Sequence, residues 1–198
     1  MHTISKKIVR ILCCHFLYRV RYWNFERLEQ EKKCLICPSH SNIFDPTFLY
    51  PKVDNLSIMA KAEIFKNKLL AKIWNYYGVF PVNREKIDVK STMHALKLFE
   101  NTEERRLLIF PEGGILKKPE EVGVKVKNGA VFIAAEAEVP IIPVYITRGP
   151  KLFSKVDVIV GKPMYISKQI AKDKTKVREK SKELIRTIYQ LKEGKTND

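Results

Sequence analysis

Residues 34–46 read CLICPSHSNIFDP: an apolar run, a polar turn that contains His40, and an Asp-Pro pair. The apolar run predicts a short buried strand, and the pair predicts a helix start, with Asp45 as N-cap and Pro46 at the first helical position. Ligands of α/β sheets bind beyond the carboxyl ends of strands, which is where His40 would lie. The Asp45 carboxylate can fold back onto one imidazole nitrogen and leave the other free to take a proton. The plainer alternative is a capping aspartate beside an ordinary loop histidine.

Outward from this segment, short apolar strands alternate with helical patterns along the chain. Further strands are predicted at 56–60, 79–82, 107–110, 141–146 and 156–160, with an edge strand within 19–28. Helices are predicted at 63–77, 90–99 and 129–137, and from 168 into the C-terminal tail. This alternation predicts an α/β fold, a single domain with a largely parallel or mixed sheet flanked by helices. A length of 198 residues suits one well-cored domain.

The N-terminal segment has the spacing of an amphipathic helix over residues 4–18. It fits either a helix packed on its own domain or an interfacial helix on a membrane. The apolar side comprises Ile4, Ile8, Val9, Ile11, Leu12 and Phe16, and the basic side Lys6, Lys7, Arg10 and Arg21. The uncharged run 11–18 is far shorter than the ~20 residues of a spanning helix, so we predict neither a transmembrane helix nor a cleavable signal peptide.

The chain is strongly basic, with 37 Lys and Arg against 22 Asp and Glu and a formal net charge of +15. Such a surface favours a polyanionic partner: nucleic acid, anionic lipid or a phosphorylated substrate. Charge alone does not choose among the three. The sequence has no zinc finger, RNP aromatic pattern or glycine-rich clamp, so it lacks a recognisable nucleic-acid-binding module.

Four cysteines are present, and Cys34 and Cys37 have the CxxC spacing of a metal or redox pair. They lie in an apolar run with no second pair downstream. We therefore predict buried free thiols rather than a zinc site or a disulfide. The histidines outside the polar turn have no partners at metal-ligand spacing, and we expect no metal ion.

Three further blocks place polar side chains or prolines at strands and turns. In GVFPVNR, Arg84 follows a strand and could hold a phosphate in bidentate fashion. In FPEGG (110–114), Glu112 could accept a hydrogen bond from a hydroxyl, beside glycine amides that an anion can approach. In VPIIPV (139–144), the prolines suggest an edge strand or a pocket wall. Taken singly, each block is equally an ordinary turn, a surface arginine or a plain strand.

Together, these blocks and the His40 turn resemble the glycerolipid acyltransferases of the 1-acylglycerol-3-phosphate acyltransferase (PlsC-type) family. That family is recognised by four blocks in this order, H-x4-D, a G…F…R block, F-P-E-G and V-P-I-x-P-V, with spacings like those found here. The stretch 127–130, KNGA, is similar to the K-x-G-A that opens the helix between the last two blocks. The resemblance covers roughly residues 30–165.

The resemblance implies that His40 is the general base that deprotonates the acceptor hydroxyl, and that Asp45 orients the imidazole. The implied substrate-binding residues are Arg84, Glu112, Gly113, Lys117 and Lys127. One departure concerns the third block, which in the family usually continues with Thr-Arg, where this chain has Gly114-Ile115. We expect Lys117 or Lys118 to supply the missing charge.

The resemblance also implies partners and a location. The co-substrate would be acyl-CoA or an acyl-carrier protein and the acceptor a lysophospholipid, most simply 1-acyl-glycerol-3-phosphate giving phosphatidic acid. No bound cofactor and no nucleic-acid partner are expected. Residues 1–28 would associate with anionic membrane lipids, and 29–198 would form the acyltransferase domain. The expected location is the cytoplasmic face of the cell membrane, as a peripheral or monotopic protein.

Three other interpretations stay open from the sequence. A basic nucleic-acid-binding protein would explain the charge. A serine hydrolase could use Ser39 or Ser41 as nucleophile, although no G-x-S-x-G elbow is present. A non-catalytic lipid-binding relative is the third, and the intact His40, Asp45, Arg84 and Glu112 argue against it.

Overall fold

The computed structural model describes residues 3–83, 88–116, 126–147 and 149–193. Within these ranges, seven strands form one sheet in the order β1-β7-β6-β2-β5-β3-β4. The strands are β1 (Arg19–Trp23), β2 (Lys33–Pro38), β3 (Leu56–Lys61), β4 (Val79–Val82), β5 (Arg105–Leu108), β6 (Ile141–Ile146) and β7 (Lys155–Val160).

The sheet is mixed, with two strands reversed. Strands β6, β2, β5, β3 and β4 pair in parallel with one another. Strand β7 pairs antiparallel with β6, and β1 pairs in parallel with β7, so both run opposite to the other five. The predicted α/β fold with a largely parallel or mixed sheet is confirmed.

Helices cover both faces of the sheet. They are α1 (Thr3–Val9), which continues as a π-helix (Arg10–Leu17), α2 (Glu26–Glu29), α3 (Asp45–Leu49), α4 (Lys68–Tyr76), α5 (Val89–Lys97), α6 (Gly129–Ala137), α7 (Lys168–Ala171) and α8 (Lys174–Gln190). A 3₁₀ turn spans Ala62–Phe65.

Alternation along β2 shows how two cores arise from one strand. Ile36 packs with Phe48 of α3 on one face, in a core that the π-helix also joins. The neighbouring Leu35 packs with Leu184 of α8 on the other face, together with α5 and α6. Both strand residues are fully buried, as expected when helices cover each side of a parallel sheet.

Pro143 lies in an interior strand, so the interpretation of its block as an edge strand is wrong. Strand β6 pairs with β2 on one side and β7 on the other. The ladder to β7 begins only at Val144, opposite Val160, and the Pro143 carbonyl accepts a hydrogen bond from the Gly161 amide at 2.8 Å. The proline therefore stands where this ladder ends, and no ladder hydrogen bond to β7 needs its missing N–H.

Three predicted elements differ from the structure by more than shifts of one or two residues at their ends. The 63–77 helix is replaced by the 3₁₀ turn and α4, because the Asn67 side chain caps the new helix by accepting from the Leu69 and Leu70 amides. The C-terminal tail divides into α7 and α8, and Asp173 caps the second. The extended segment predicted within 19–28 ends at Trp23, where α2 soon follows.

The predicted N-terminal helix is present and changes from α to π geometry after Val9. Cys13 and Cys14 are buried against the sheet. The side chains of the predicted apolar side that are exposed are Ile4, Ile8, Ile11, Leu12 and Phe16. In the described part of the chain, no helix is both long enough and apolar enough to cross a bilayer.

The four cysteines are buried free thiols, as predicted. Burial raises the pKa of Cys34 from 9.0 to about 12 and raises that of Cys37 further. Such thiols stay protonated at neutral pH.

Candidate active site

The carboxyl ends of two neighbouring strands bring the first and third blocks together. Strands β2 and β5 are adjacent and parallel, with Ile36 opposite Leu108. His40 follows the end of β2, and the turn that contains Glu112 follows the end of β5. The parallel pairing therefore places both blocks at one edge of the sheet, here called the carboxyl edge.

His40 and Asp45 are in direct contact, as the sequence predicted. Nδ1 of His40 lies 3.0 Å from Oδ2 of Asp45, and the carboxylate is fully buried. The same Oδ2 accepts hydrogen bonds from the amides of Ser41 at 2.7 Å and Asn42 at 2.9 Å. Asp45 is the first residue of α3 rather than its N-cap, a position that Phe44 takes, so the capping interpretation is wrong. Its side chain points back into the turn and holds it.

These contacts fix the protonation of the imidazole. An ionised carboxylate accepts hydrogen bonds and cannot donate them, so Nδ1 of His40 must carry a proton. In the neutral ring, Nε2 is then the basic nitrogen. The dyad therefore presents one proton acceptor beyond the carboxyl edge.

One residue of the third block and one just after it contact His40. The Phe110 ring stacks on the imidazole with centroids 3.8 Å apart and planes 21° from parallel. The amide of Leu116 donates to the His40 carbonyl at 2.9 Å. Neither contact could be predicted from spacing, although Phe110 belongs to a recognised block.

Ser39 anchors the turn to β6 and does not act as a free hydroxyl. Its Oγ donates to the Ile146 carbonyl at 3.2 Å and accepts from the Ile146 amide at 2.9 Å. The side chain is buried. A hydroxyl engaged twice with backbone argues against Ser39 as a nucleophile.

Glu112 is held by a residue that the sequence did not single out. Its side chain is buried, and its Oε1 accepts a hydrogen bond from the Tyr189 hydroxyl at 2.7 Å. Tyr189 lies on α8, 77 positions further along the chain, and its ring meets Tyr145 of β6 edge-on at 5.9 Å. The C-terminal helix thus reaches the carboxyl edge.

Gly113 and Lys127 are in close contact. Gly113 has φ +73°, and a Cβ there would lie 2.6 Å from Cγ of Lys127. The Lys127 amide donates to the Pro111 carbonyl at 2.9 Å. The lysine stem therefore crosses the turn where only glycine leaves room for it.

The predicted site residue Arg84 and both lysines expected to supply the missing charge, Lys117 and Lys118, lie outside the described residues. Within the described ranges, no group of three or more His, Cys, Asp or Glu side chains is placed to hold a metal ion.

Fold and site together define a class: an α/β domain with a buried carboxylate–histidine pair at the carboxyl edge of its sheet. The model of the Acyltransferase family matches residues 19–147, which include both members of the pair and the turn that holds Glu112. The chain belongs to this acyltransferase family.

Named relatives agree with this family. The chain is 31% identical over 153 residues to the 1-acyl-sn-glycerol-3-phosphate acyltransferase of Bacillus subtilis (strain 168), covering 74% of each protein. It is 26% identical over 175 residues to the enzyme of that name from Streptococcus pneumoniae (strain ATCC BAA-255 / R6). That match covers 84% of this chain but 63% of the pneumococcal protein, so the chain spans less than two thirds of that relative.

A solved structure has the same fold. The crystal structure of the 1-acyl-sn-glycerophosphate (LPA) acyltransferase PlsC from Thermotoga maritima superposes with a TM-score of 0.62 at 20% sequence identity. The match covers 90% of this chain and 73% of that one.

Proposed function

We propose that the protein transfers a fatty acyl group from an acyl thioester, acyl-CoA or acyl-carrier protein, to the free hydroxyl of a lysophospholipid. The first candidate acceptor is 1-acyl-glycerol-3-phosphate, which would give phosphatidic acid; the names of the bacterial relatives support this choice. The observation that carries the proposal is the 3.0 Å contact between His40 and the buried Asp45. In a member of the acyltransferase family, this contact leaves Nε2 of His40 as a proton acceptor for the substrate hydroxyl.

In the proposed mechanism, Nε2 of His40 takes the proton of the acceptor hydroxyl while that oxygen attacks the thioester carbonyl carbon. The carbon–sulfur bond then breaks, and the departing thiolate receives the proton from the imidazolium. The products are an ester and a free thiol, and no acyl-enzyme forms. Asp45 keeps Nδ1 protonated and stabilises the positive charge that His40 gains.

The acceptor head group is proposed to bind at the turn after β5. Arg84 and the turn formed by Glu112 and Gly113 would hold the glycerol phosphate. A lysine would replace the arginine that Gly114-Ile115 lacks. The candidates are Lys117 or Lys118, as the sequence indicates, and also Lys127. The contact between the aliphatic part of the Lys127 side chain and Gly113 supports a position of the Lys127 ammonium group near this turn.

We further propose that the protein works on an anionic membrane, as a peripheral or monotopic protein at the cytoplasmic face. The exposed apolar side of the N-terminal helix and the net charge of +15 support this. Each Lys or Arg near an anionic surface contributes about 1 kcal/mol of attraction.

The test is to incubate the purified protein with a labelled acyl thioester and a panel of lysophospholipids. We expect phosphatidic acid from lysophosphatidic acid, and a loss on the order of a thousandfold in kcat for His40→Ala and Asp45→Asn. Asp173→Asn, at the exposed cap of α8, serves as the matched aspartate control and should keep full activity. Equal product from the His40→Ala protein would refute the mechanism.

A further inference from the structure

Three segments meet beside His40: the end of the N-terminal helix, the turn that carries His40, and the loop that joins β6 to β7. Each pair of segments is in direct contact. The contacts are the Phe16 and Phe153 rings at 6.1 Å, the Tyr18 and Phe44 rings at 5.9 Å, and the Gly149 amide donating to Ser41 Oγ at 3.0 Å. The three segments therefore form one surface.

The direction of the strands explains this meeting. Strand β6 runs toward the carboxyl edge, so the loop after it lies there too. Strand β7 runs the opposite way and begins at that edge, and β1 is parallel to β7. The helix that precedes β1 therefore ends at the edge where His40 lies.

Apolar side chains from all three segments are exposed at this surface. Ile43, within the His40 turn itself, is 74% exposed, and Phe153 is 59% exposed. Elsewhere in the N-terminal helix and the loop, Ile8, Ile11, Leu12, Phe16 and Leu152 are also exposed. A group of exposed apolar side chains from several elements marks an interaction surface.

Phe153 is held in an unfavourable backbone conformation. Its φ is +63°, which is uncommon for a bulky side chain. Its amide donates to the Leu17 carbonyl, at the end of the π-helix, at 2.7 Å. The backbone at Phe153 is thus strained although its ring is exposed beside the helix. This arrangement indicates that the ring contacts something other than the protein's own core.

The segments that form this surface are rich in positive charge. Residues 3–25 and 149–156 contain seven Lys or Arg and no Asp or Glu. Two of the seven, Lys6 and Arg21, form ion pairs with Asp54 and Asp157 of neighbouring segments. An anionic bilayer matches both the apolar side chains and the surrounding positive charge.

We propose that the loop 149–153 is a second membrane-inserting element, in which Leu152 and Phe153 enter the acyl boundary of an anionic bilayer beside the N-terminal helix. Ile43 completes the apolar rim, so the turn that carries His40 faces the lipid surface. This inference rests on the proposed function for its biological meaning, but the binding itself requires no turnover.

The test uses the full chain and vesicles of equal parts phosphatidylcholine and phosphatidylglycerol. Phe153→Gly removes the ring, and glycine adopts the positive φ without strain, so thermal stability should be unchanged or higher. We expect vesicle affinity to fall by about tenfold, because a phenylalanine ring no longer leaves water. Phe153→Trp, which keeps an aromatic ring, should bind as well as wild type.

Tyr165→Ser is the matched control, since this exposed aromatic residue bonds to Glu31, which precedes β2 at the opposite edge of the sheet. It should leave vesicle affinity unchanged. Wild-type affinity of Phe153→Gly would overturn the inference, and so would a wild-type dimer that this substitution converts to a monomer. Vesicle binding that depends on Phe153 in a protein without acyl transfer would instead refute the proposed function and leave the membrane surface standing.

Discussion

At the scale of single residues, contacts between residues close in sequence could be predicted, and contacts between residues far apart in sequence could not. The pairing of His40 with Asp45 follows from a five-residue offset across one turn. The sequence did not show that Asp45 would accept hydrogen bonds from the Ser41 and Asn42 amides instead of capping α3. Aspartate is equally suited to cap a helix and to bond to the backbone of a turn. The approach of Lys127 to Gly113 depends on chain geometry beyond any motif.

Gly113 permits that approach, and its substitution tests it. Gly113→Ala should lower the free energy of unfolding by about 1–2 kcal/mol, because alanine is strained at φ +73°. The new Cβ would also push the Lys127 stem aside, so we expect a higher KM for the acceptor. Both effects are measurable by urea unfolding and by initial rates at varied acceptor concentration.

The next residue provides the control. A Cβ at Gly114 would meet no heavy atom within 4 Å, so Gly114→Ala should change stability by less than about 0.5 kcal/mol. Equal behaviour of the two variants would show that the Gly113–Lys127 contact does not matter in solution.

At the scale of elements, composition predicted the buried elements best. The bounds of α6 and β6 agree with the sequence at both ends, because small and apolar residues make up nearly all of each segment. Helix α4 shows the opposite case: it buries no residue fully, and its Leu69 is 70% exposed. Periodicity shows that a helix has an apolar side but not what that side contacts.

Helix α8 contributes Tyr189, whose hydroxyl donates to Glu112. Tyr189→Phe keeps the ring but removes this donor, and we expect kcat/KM for the acceptor to fall about tenfold through KM, since a hydrogen bond to a carboxylate is lost. A purely structural role would instead lower the melting temperature and leave KM unchanged.

Tyr165→Phe is the matched control, because Tyr165 also donates to a carboxylate, that of Glu31, on the exposed surface. Its kinetics should equal those of wild type. If both tyrosine variants lose activity alike, Tyr189 has no particular role in positioning Glu112.

At the scale of the whole molecule, the buried thiols should make the protein less stable as the pH becomes alkaline. The folded protein keeps Cys34 and Cys37 protonated because burial raises the pKa of each thiol, whereas the unfolded chain ionises them near pH 9. The stabilising effect is complete below pH 9 and is lost as pH rises toward about 12. We expect the free energy of unfolding to fall there by up to about 1.4 kcal/mol per pH unit per thiol.

Urea unfolding at several pH values between neutral pH and pH 11 measures this loss. In Cys34→Ala, the free energy of unfolding should fall less steeply with pH. At pH 8, the native thiols at 34 and 37 should resist a disulfide reagent that modifies them fully in urea. Rapid modification of both in the native protein would contradict their burial.

The reversed pair β1 and β7 has a consequence for synthesis. Arg21 on β1 forms its ion pair with Asp157 on β7, 136 positions later, so β1 waits for nearly the whole domain before it joins the sheet. While the ribosome is still translating the rest, the preceding amphipathic segment is not yet tied to the sheet through β1. At that stage the segment can bind a nearby membrane. Nascent chains halted before β7 should therefore already partition to anionic lipid. Halted chains that stay in solution would contradict this order. Closure of the domain would then take place on the lipid that holds its proposed substrate.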